Sequence, residues 1–209
     1  MTRSAGEPQG SASNGTIRRA TARDAEDIAR VQIVTWRAAY AGLVPAAHLD
    51  SLSLQVRADT WRRLLAPGDP EAASASADDR PAEREPTATW VATENRHAVV
   101  GFADAGPTRD TDAVGRIGEL RAIYVLPERW ATGVGHALHE QAVGWLREQR
   151  YPVAALWVLE GNAKARRFYE RHGWRVEGTV APIMLAGESV TEIRYRLDLH
   201  GTTPTTEAR

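Results

Sequence analysis

Residues 119–145 read ELRAIYVLPERWATGVGHALHEQAVGW, and their pattern changes once. Leu120, Ala122, Ile123, Tyr124 and Val125 make an apolar run of strand character that stops at Pro127. A short loop leads to Gly133-Val134-Gly135, where apolar residues recur at helical spacing: Val134, Leu138, Ala142 and Trp145. This is a strand, a tight turn and a helix N-terminus. The first amides of a helix have no partner inside it, and the aligned peptide dipoles add positive potential there, so the junction suits a phosphate. Gly133 and Gly135 allow an anion close to the backbone. Two glycines in G-x-G are a weak motif by themselves, and taken alone they read better as a plain strand-to-helix turn.

A second stretch, residues 162–178, reads NAKARRFYERHGWRVEG. Asn162 suits a helix N-cap, Ala165, Phe168 and Tyr169 share a face, and Gly173 ends the helix. The two stretches together resemble the Gcn5-related N-acetyltransferase superfamily. The likeness spans Thr16 to Leu199, strongest from Glu119 to Gly178. It implies an α/β fold of α+β type: a mixed, mostly antiparallel central sheet, helices on both faces, and one parallel strand pair that splays apart.

The resemblance also implies a chemistry. Acetyl-CoA would enter the splayed gap as cosubstrate. Its pantetheine would lie along the backbone at Ile123, Tyr124 and Val125, and its diphosphate would rest on the amides of Ala131, Thr132, Gly133, Val134, Gly135 and His136. Asn162 matches the family's pantetheine-contacting Asn, and Tyr169 the phenol that protonates the departing sulfur. Glu119 sits where some members carry a carboxylate that takes the amine's proton; otherwise it is a salt-bridge or exposed strand residue. The run Trp36 to Leu49 resembles the helices that border the acceptor pocket, so Trp36 and Tyr40 are candidate substrate contacts as well as candidate core aromatics.

Two positions depart from the family pattern. Trp130 stands where Gln or Arg usually precedes the glycines, leaving Arg129, one place earlier, to reach phosphate. Trp157 stands where the modifiers of ribosomal proteins carry a glutamate, which speaks against a peptide N-terminus as acceptor. The expected function is direct acetyl transfer to a primary amine of a small molecule. A protein N-terminal or lysine acetyltransferase, and a noncatalytic acyl-CoA sensor, remain open as alternatives.

Composition narrows the rest. The chain has 209 residues, is 43% hydrophobic, and carries 26 basic against 27 acidic residues, so no overall field attracts nucleic acid or anionic lipid. It has no cysteine, which excludes thiolate metal sites, disulfides and a cysteine nucleophile. His136 and His139 are three apart with no third ligand evident, so no metal is expected and both read as surface histidines. No apolar run nears the roughly 20 residues of a membrane span, and a cytoplasmic location is the simplest expectation. A homodimer is compatible with these features.

The expected organisation is a disordered tail at 1–14, one domain at 15–200 with a flexible loop at 67–88, and a tail at 201–209. Within the domain, strands are expected at Thr16–Arg19, Thr89–Glu94, Ala98–Gly106, Gly115–Val125 and Val153–Val158, with a final hairpin turning at Ala186-Gly187-Glu188. The first helix runs toward Tyr40, and Leu49–Leu65 reads as a helix. Lys164, Arg166, Arg167 and Arg171 give the Asn162 helix a basic face, solvated or turned toward a phosphate.

Overall fold

The computed structural model describes residues 15–66, 85–95 and 98–200. The expected tails, and the expected loop up to residue 84, lie outside the described residues. Among the described residues, seven strands form one sheet: β1 (Thr16–Arg19), β2 (Ala88–Glu94), β3 (Ala98–Pro107), β4 (Ile117–Val125), β5 (Val153–Leu159), β6 (Arg175–Leu185) and β7 (Glu188–Asp198). Their order across the sheet is β1-β2-β3-β4-β5-β7-β6. Every neighbouring pair is antiparallel except β4 and β5.

The helices are α1 (Ala25–Ala39), α2 (Ala46–Asp50), α3 (Leu54–Leu65), α4 (Val134–Glu148) and α5 (Ala163–Arg171). They cover both faces of the sheet. Trp90 pairs across the β2–β3 ladder with Ala103, and Val91 with Phe102, so the rings of Trp90 and Phe102 point to opposite sides. Trp90 meets Trp145 of α4 at 5.7 Å between centroids, while Phe102 meets Trp61 of α3 at 5.1 Å. Leu138, Ala142, Val143 and Leu146 bury one face of α4, and Ile28 and Val31 bury α1 beside α3.

The segment expected as one helix from Leu49 to Leu65 is two. Ser53 takes an extended conformation, and its hydroxyl accepts the Val56 N–H at the start of α3. A residue that caps a new helix cannot continue the old one. The closing hairpin turns on Ala186 (φ 48°) and Gly187 (φ 85°), with Leu185 opposite Glu188. Positive φ at both central residues is the geometry of a type I′ turn, which matches strand twist.

One irregularity positions the site. Along β4, Ala122 pairs with Asp104 but Leu120 pairs with Ala105, so Arg121 is an extra residue, a bulge. Cross-strand partners share a face. Glu119 opposite Gly106, and Tyr124 opposite Phe102, therefore point to the α1 and α3 side, although their odd offset along the chain would put them on opposite faces of a regular strand. The Arg121 side chain folds back over Gly106, and its Nη2 donates to the Pro107 carbonyl at 2.7 Å. A Cβ at Gly106 would sit 2.6 Å from that guanidinium carbon.

Candidate active site

β4 and β5 pair only where Ile117, Gly118 and Glu119 face Val153, Ala154 and Ala155. Beyond that, β5 stays with β7, β4 stays with β3, and the two strands part. Tight packing holds the closed end, because a Cβ on Gly118 would meet Leu146 of α4 at 2.7 Å. The open end is a cleft of about 650 Å³. Strand alternation decides which amides face it. Leu126 N–H donates to Val100 O at 2.9 Å, so Tyr124 exchanges bonds with β3, and Ile123 and Val125 turn their N–H and C=O groups toward the gap. The Val125 carbonyl takes two donors, Trp130 Nε1 at 2.7 Å and Thr35 Oγ1 at 3.1 Å.

The loop after β4 brings α4's first turn to the cleft. Ala131 (φ 62°) and Gly133 (φ 92°) both adopt left-handed backbone, which reverses the chain just before the helix. At Gly133 such a φ suits the residue; at Ala131 it is a strained conformation for an alanine. The first helical bond joins Ala137 N–H to Gly133 O at 3.0 Å, so the amides of Val134, Gly135 and His136 precede it and offer donors to an anion. Ala131, Gly133, Gly135 and His136 line the cleft; Thr132 and Val134 do not. The Thr132 hydroxyl donates to Arg129 O instead, at 2.8 Å.

Neither departure from the family pattern leaves a gap. Trp130, pinned by its bond to Val125, carries Lys164 on its ring, with Nζ 3.1 Å from the centroid. Burial lowers the Lys164 pKa. Arg129 lines the cleft and pairs with Glu94, Nε to Oε1 at 2.7 Å. The basic face of α5 is also partly committed, since Arg166 Nε donates to Tyr195 Oη at 3.0 Å and Tyr195 donates to Glu170 at 2.8 Å.

One of the two histidines departs from its expected surface role. His136 is exposed, and its Nδ1 lies 2.8 Å from His172 Nε2. His139 is fully buried and accepts the Trp174 indole N–H at 2.8 Å, so its proton resides on Nδ1, beside Glu140. Burial first, then the nearby His172, lowers its pKa to about 4. His139 and Trp174 recur on the apolar side of α4 and behind α5 as a polar pair inside the core, a contact that helical spacing alone does not reveal. Among the described residues, no group of three or more metal-ligating side chains converges.

α5 delivers two of the expected residues. Asn162 Oδ1 accepts the Ala165 N–H at 3.1 Å, which starts the helix and leaves the side-chain amide N–H₂ as a donor at the cleft. Tyr169 is 8% exposed and reaches the cleft from below. Burial raises its phenol above the ordinary range, and Tyr124 adds to the shift.

The remaining candidates lie across the cleft from Tyr169's helix. Trp36 and Tyr40 pack edge to face at 5.0 Å, with Tyr124 at 6.4 Å from Trp36, and all three line the cavity. Both also touch the small core of Val44, Leu49 and Leu159, so the core and cleft readings hold together. Glu119 is 3% exposed and its two oxygens take three bonds from Arg109: backbone N–H to Oε2 at 2.9 Å, Nε to Oε2 at 3.2 Å, and Nη2 to Oε1 at 2.5 Å. Trp157 donates its indole N–H to Asp110 at 2.9 Å, and Arg194 ties Asp110, Asp112 and Glu177 together at the same wall.

Glu192 was not among the expected site residues. It sits on β7 opposite Leu159, lines the cleft, and is half-buried. Burial raises its pKa, against the opposing pull of Arg109. In sequence it belongs to the polar half of an alternating strand whose other half, Ile193, Tyr195 and Leu197, is core. Such alternation reads as a solvent face, and only the folded sheet turns that face onto a cavity.

Comparison with known proteins agrees with this geometry. A family model described as the acetyltransferase (GNAT) family matches residues 55–174. The uncharacterised N-acetyltransferase YuaI of Bacillus subtilis is 31% identical over 147 residues, covering 70% of this chain and 73% of the relative. Two solved structures share the fold. A PaiA N-acetyltransferase from Thermoplasma acidophilum, in complex with coenzyme A, has a TM-score of 0.61 at 17% identity and covers 88% of this chain and 99% of its own. The YncA protein from Salmonella typhimurium, with acetyl-CoA, has a TM-score of 0.61 at 21% identity over 94% of this chain and 100% of its own.

Proposed function

This chain belongs to the acetyltransferase (GNAT) family, and from that premise we propose that it moves the acetyl group of acetyl-CoA directly onto a primary amine of a small molecule. The observation that carries the reading is the parting of β4 from β5. It exposes strand amides at Ile123 and Val125, with a helix N-terminus at one end and an aromatic, carboxylate-bearing chamber at the other. Residues 15–200 act as one domain in this reading.

The amides of Val134, Gly135 and His136 hold the diphosphate, and Lys164, stacked on Trp130, adds positive charge nearby. Asn162 and the β4 backbone align the pantetheine. The Val125 N–H polarises the thioester carbonyl, since a fixed donor stabilises charge growing on oxygen. Tyr169 gives its proton to the departing sulfur; a phenol that stays protonated well above neutral pH is ready for that step. Glu119, held by Arg109, sets the charge of the acceptor chamber. Trp36, Tyr40 and Tyr124 enclose the amine's carbon body, and the enclosure favours a small acceptor over a peptide laid across an open groove.

The test is release of free thiol from acetyl-CoA in the presence of a panel of small primary amines, with peptides bearing a free N-terminus or lysine in parallel. Thiol release and a product heavier by one acetyl group with a small amine are the expected results. Turnover with peptides alone would transfer the assignment to protein acetylation. Coenzyme A binding without amine-dependent turnover would make the chain a sensor.

A further inference from the structure

We infer that the carboxylate accepting the amine's proton is Glu192, with Glu119 as a fixed counterion to Arg109; this rests on the acetyltransferase reading above. The two acids occupy the same side of the sheet. Glu119 lies opposite Ala155, and Glu192 lies opposite Leu159, two alternations further along the same face of β5, past Trp157. Their surroundings differ. Glu119 is almost wholly buried, with its oxygens filled by three N–H donors, and taking up a proton there means giving up a bond to a guanidinium.

Glu192 makes no hydrogen bond or ion pair through its side chain among the described residues, yet its oxygens open on the cleft. A half-buried carboxylate without a partner is costly unless a cation or proton arrives. Its own strand does not supply one, because Arg194 is engaged by Asp110, Asp112 and Glu177. The groups facing it are Tyr40 at the C-cap of α1, Tyr124 and Glu119 from β4, and Arg109 from the loop after β3. From β5 and β6 its pairing partners are apolar, Leu159 and Ala181. Burial raises its pKa toward the value a base needs at neutral pH.

In the proposed step an alkylammonium docks against Glu192, which takes one proton and leaves a neutral amine. The nitrogen's lone pair forms the C–N bond to the acetyl carbon as the C–S bond breaks. Tyr169 gives its proton to the thiolate, and the second nitrogen proton returns to the phenolate. The products are the amide, the free thiol and one proton, which Glu192 passes to solvent.

The experiment uses the amine from the panel that gives the fastest thiol release and compares wild type, Glu192→Gln, Glu192→Asp and Glu119→Gln across pH. Expected for Glu192→Gln is a loss of about 100-fold or more in kcat/KM for the amine at pH 7, with the KM for acetyl-CoA within about twofold. The variant's rate should then track the free-base fraction of the amine, its acid limb moved from the base's pKa to the amine's, and Glu192→Asp should restore part of the rate and of the wild-type limb. A Glu192→Gln enzyme that keeps the wild-type acid limb overturns the assignment, as does loss of that limb in Glu119→Gln alone. Wild type that binds coenzyme A by calorimetry but releases no thiol with any amine defeats the acetyltransferase reading, and this assignment falls with it.

Discussion

Tyr169 and the N-cap Asn162 stand seven residues apart at α5, and the role proposed for each is set by its neighbours. Tyr169→Phe removes one oxygen from a buried ring. It is expected to lower kcat by more than about tenfold while leaving the coenzyme A dissociation constant within about twofold, measured by steady-state kinetics and calorimetry. His139 makes a different kind of prediction. Its pKa is lowered to about 4 in the fold, against about 6.5 for a free imidazole, so between those values the unfolded chain binds a proton that the folded chain refuses. The stability it helps maintain is complete above about pH 6.5 and is lost as pH falls toward 4, a change of up to about 3 kcal/mol. His139→Gln, which offers Trp174 another acceptor, is expected to flatten that part of a urea-denaturation pH profile. The residue types of this site were legible in the sequence because the two motifs have fixed spacing. Glu192 and the burial of His139 were not, since both depend on which surface an ordinary alternation or helical face meets after folding.

At the scale of elements, the start of α4 is the most exacting piece. Gly133 combines φ 92° with open space beside its Cα, so a side chain there faces no clash but a strained backbone. Gly133→Asp is expected to abolish coenzyme A binding in calorimetry, since it adds like charge where the diphosphate would lie, while thermal stability falls by only about 1 kcal/mol. A normal dissociation constant would count against the phosphate assignment. Asn162→Ala tests the start of α5: loss of the cap is expected to cost about 1 kcal/mol in urea denaturation and to weaken cofactor binding as well. Strand and helix types followed from apolar period over most of the chain. The break at Ser53 did not, because Leu49, Leu52 and Val56 keep a helical spacing of three and four across it and the cap is one hydroxyl to one amide.

At the scale of the whole molecule, seven strands, their single parallel pair and the helices on both faces agree with the family resemblance of two short stretches. The acceptor chamber is where sequence reading thins out: it is assembled from α1, β4, β5 and β7 and from the loop carrying Arg109, and no local pattern announces that these meet. The extra residue at Arg121 then acquires a meaning beyond its own contacts. It works as a half-step in the strand, like an added tooth on a gear, dividing β4 into two stretches that are indexed separately: in the proposed reading, one addressed to the acceptor and one to the pantetheine. Excising Arg121 would rotate Glu119 out of the chamber that Tyr124 still faces and turn buried Leu120 away from the core, so packing and site both depend on that half-step. In the proposed reading, the segments on either side of that tooth are free to drift separately, one toward new acceptors without disturbing the other's grip on the cosubstrate.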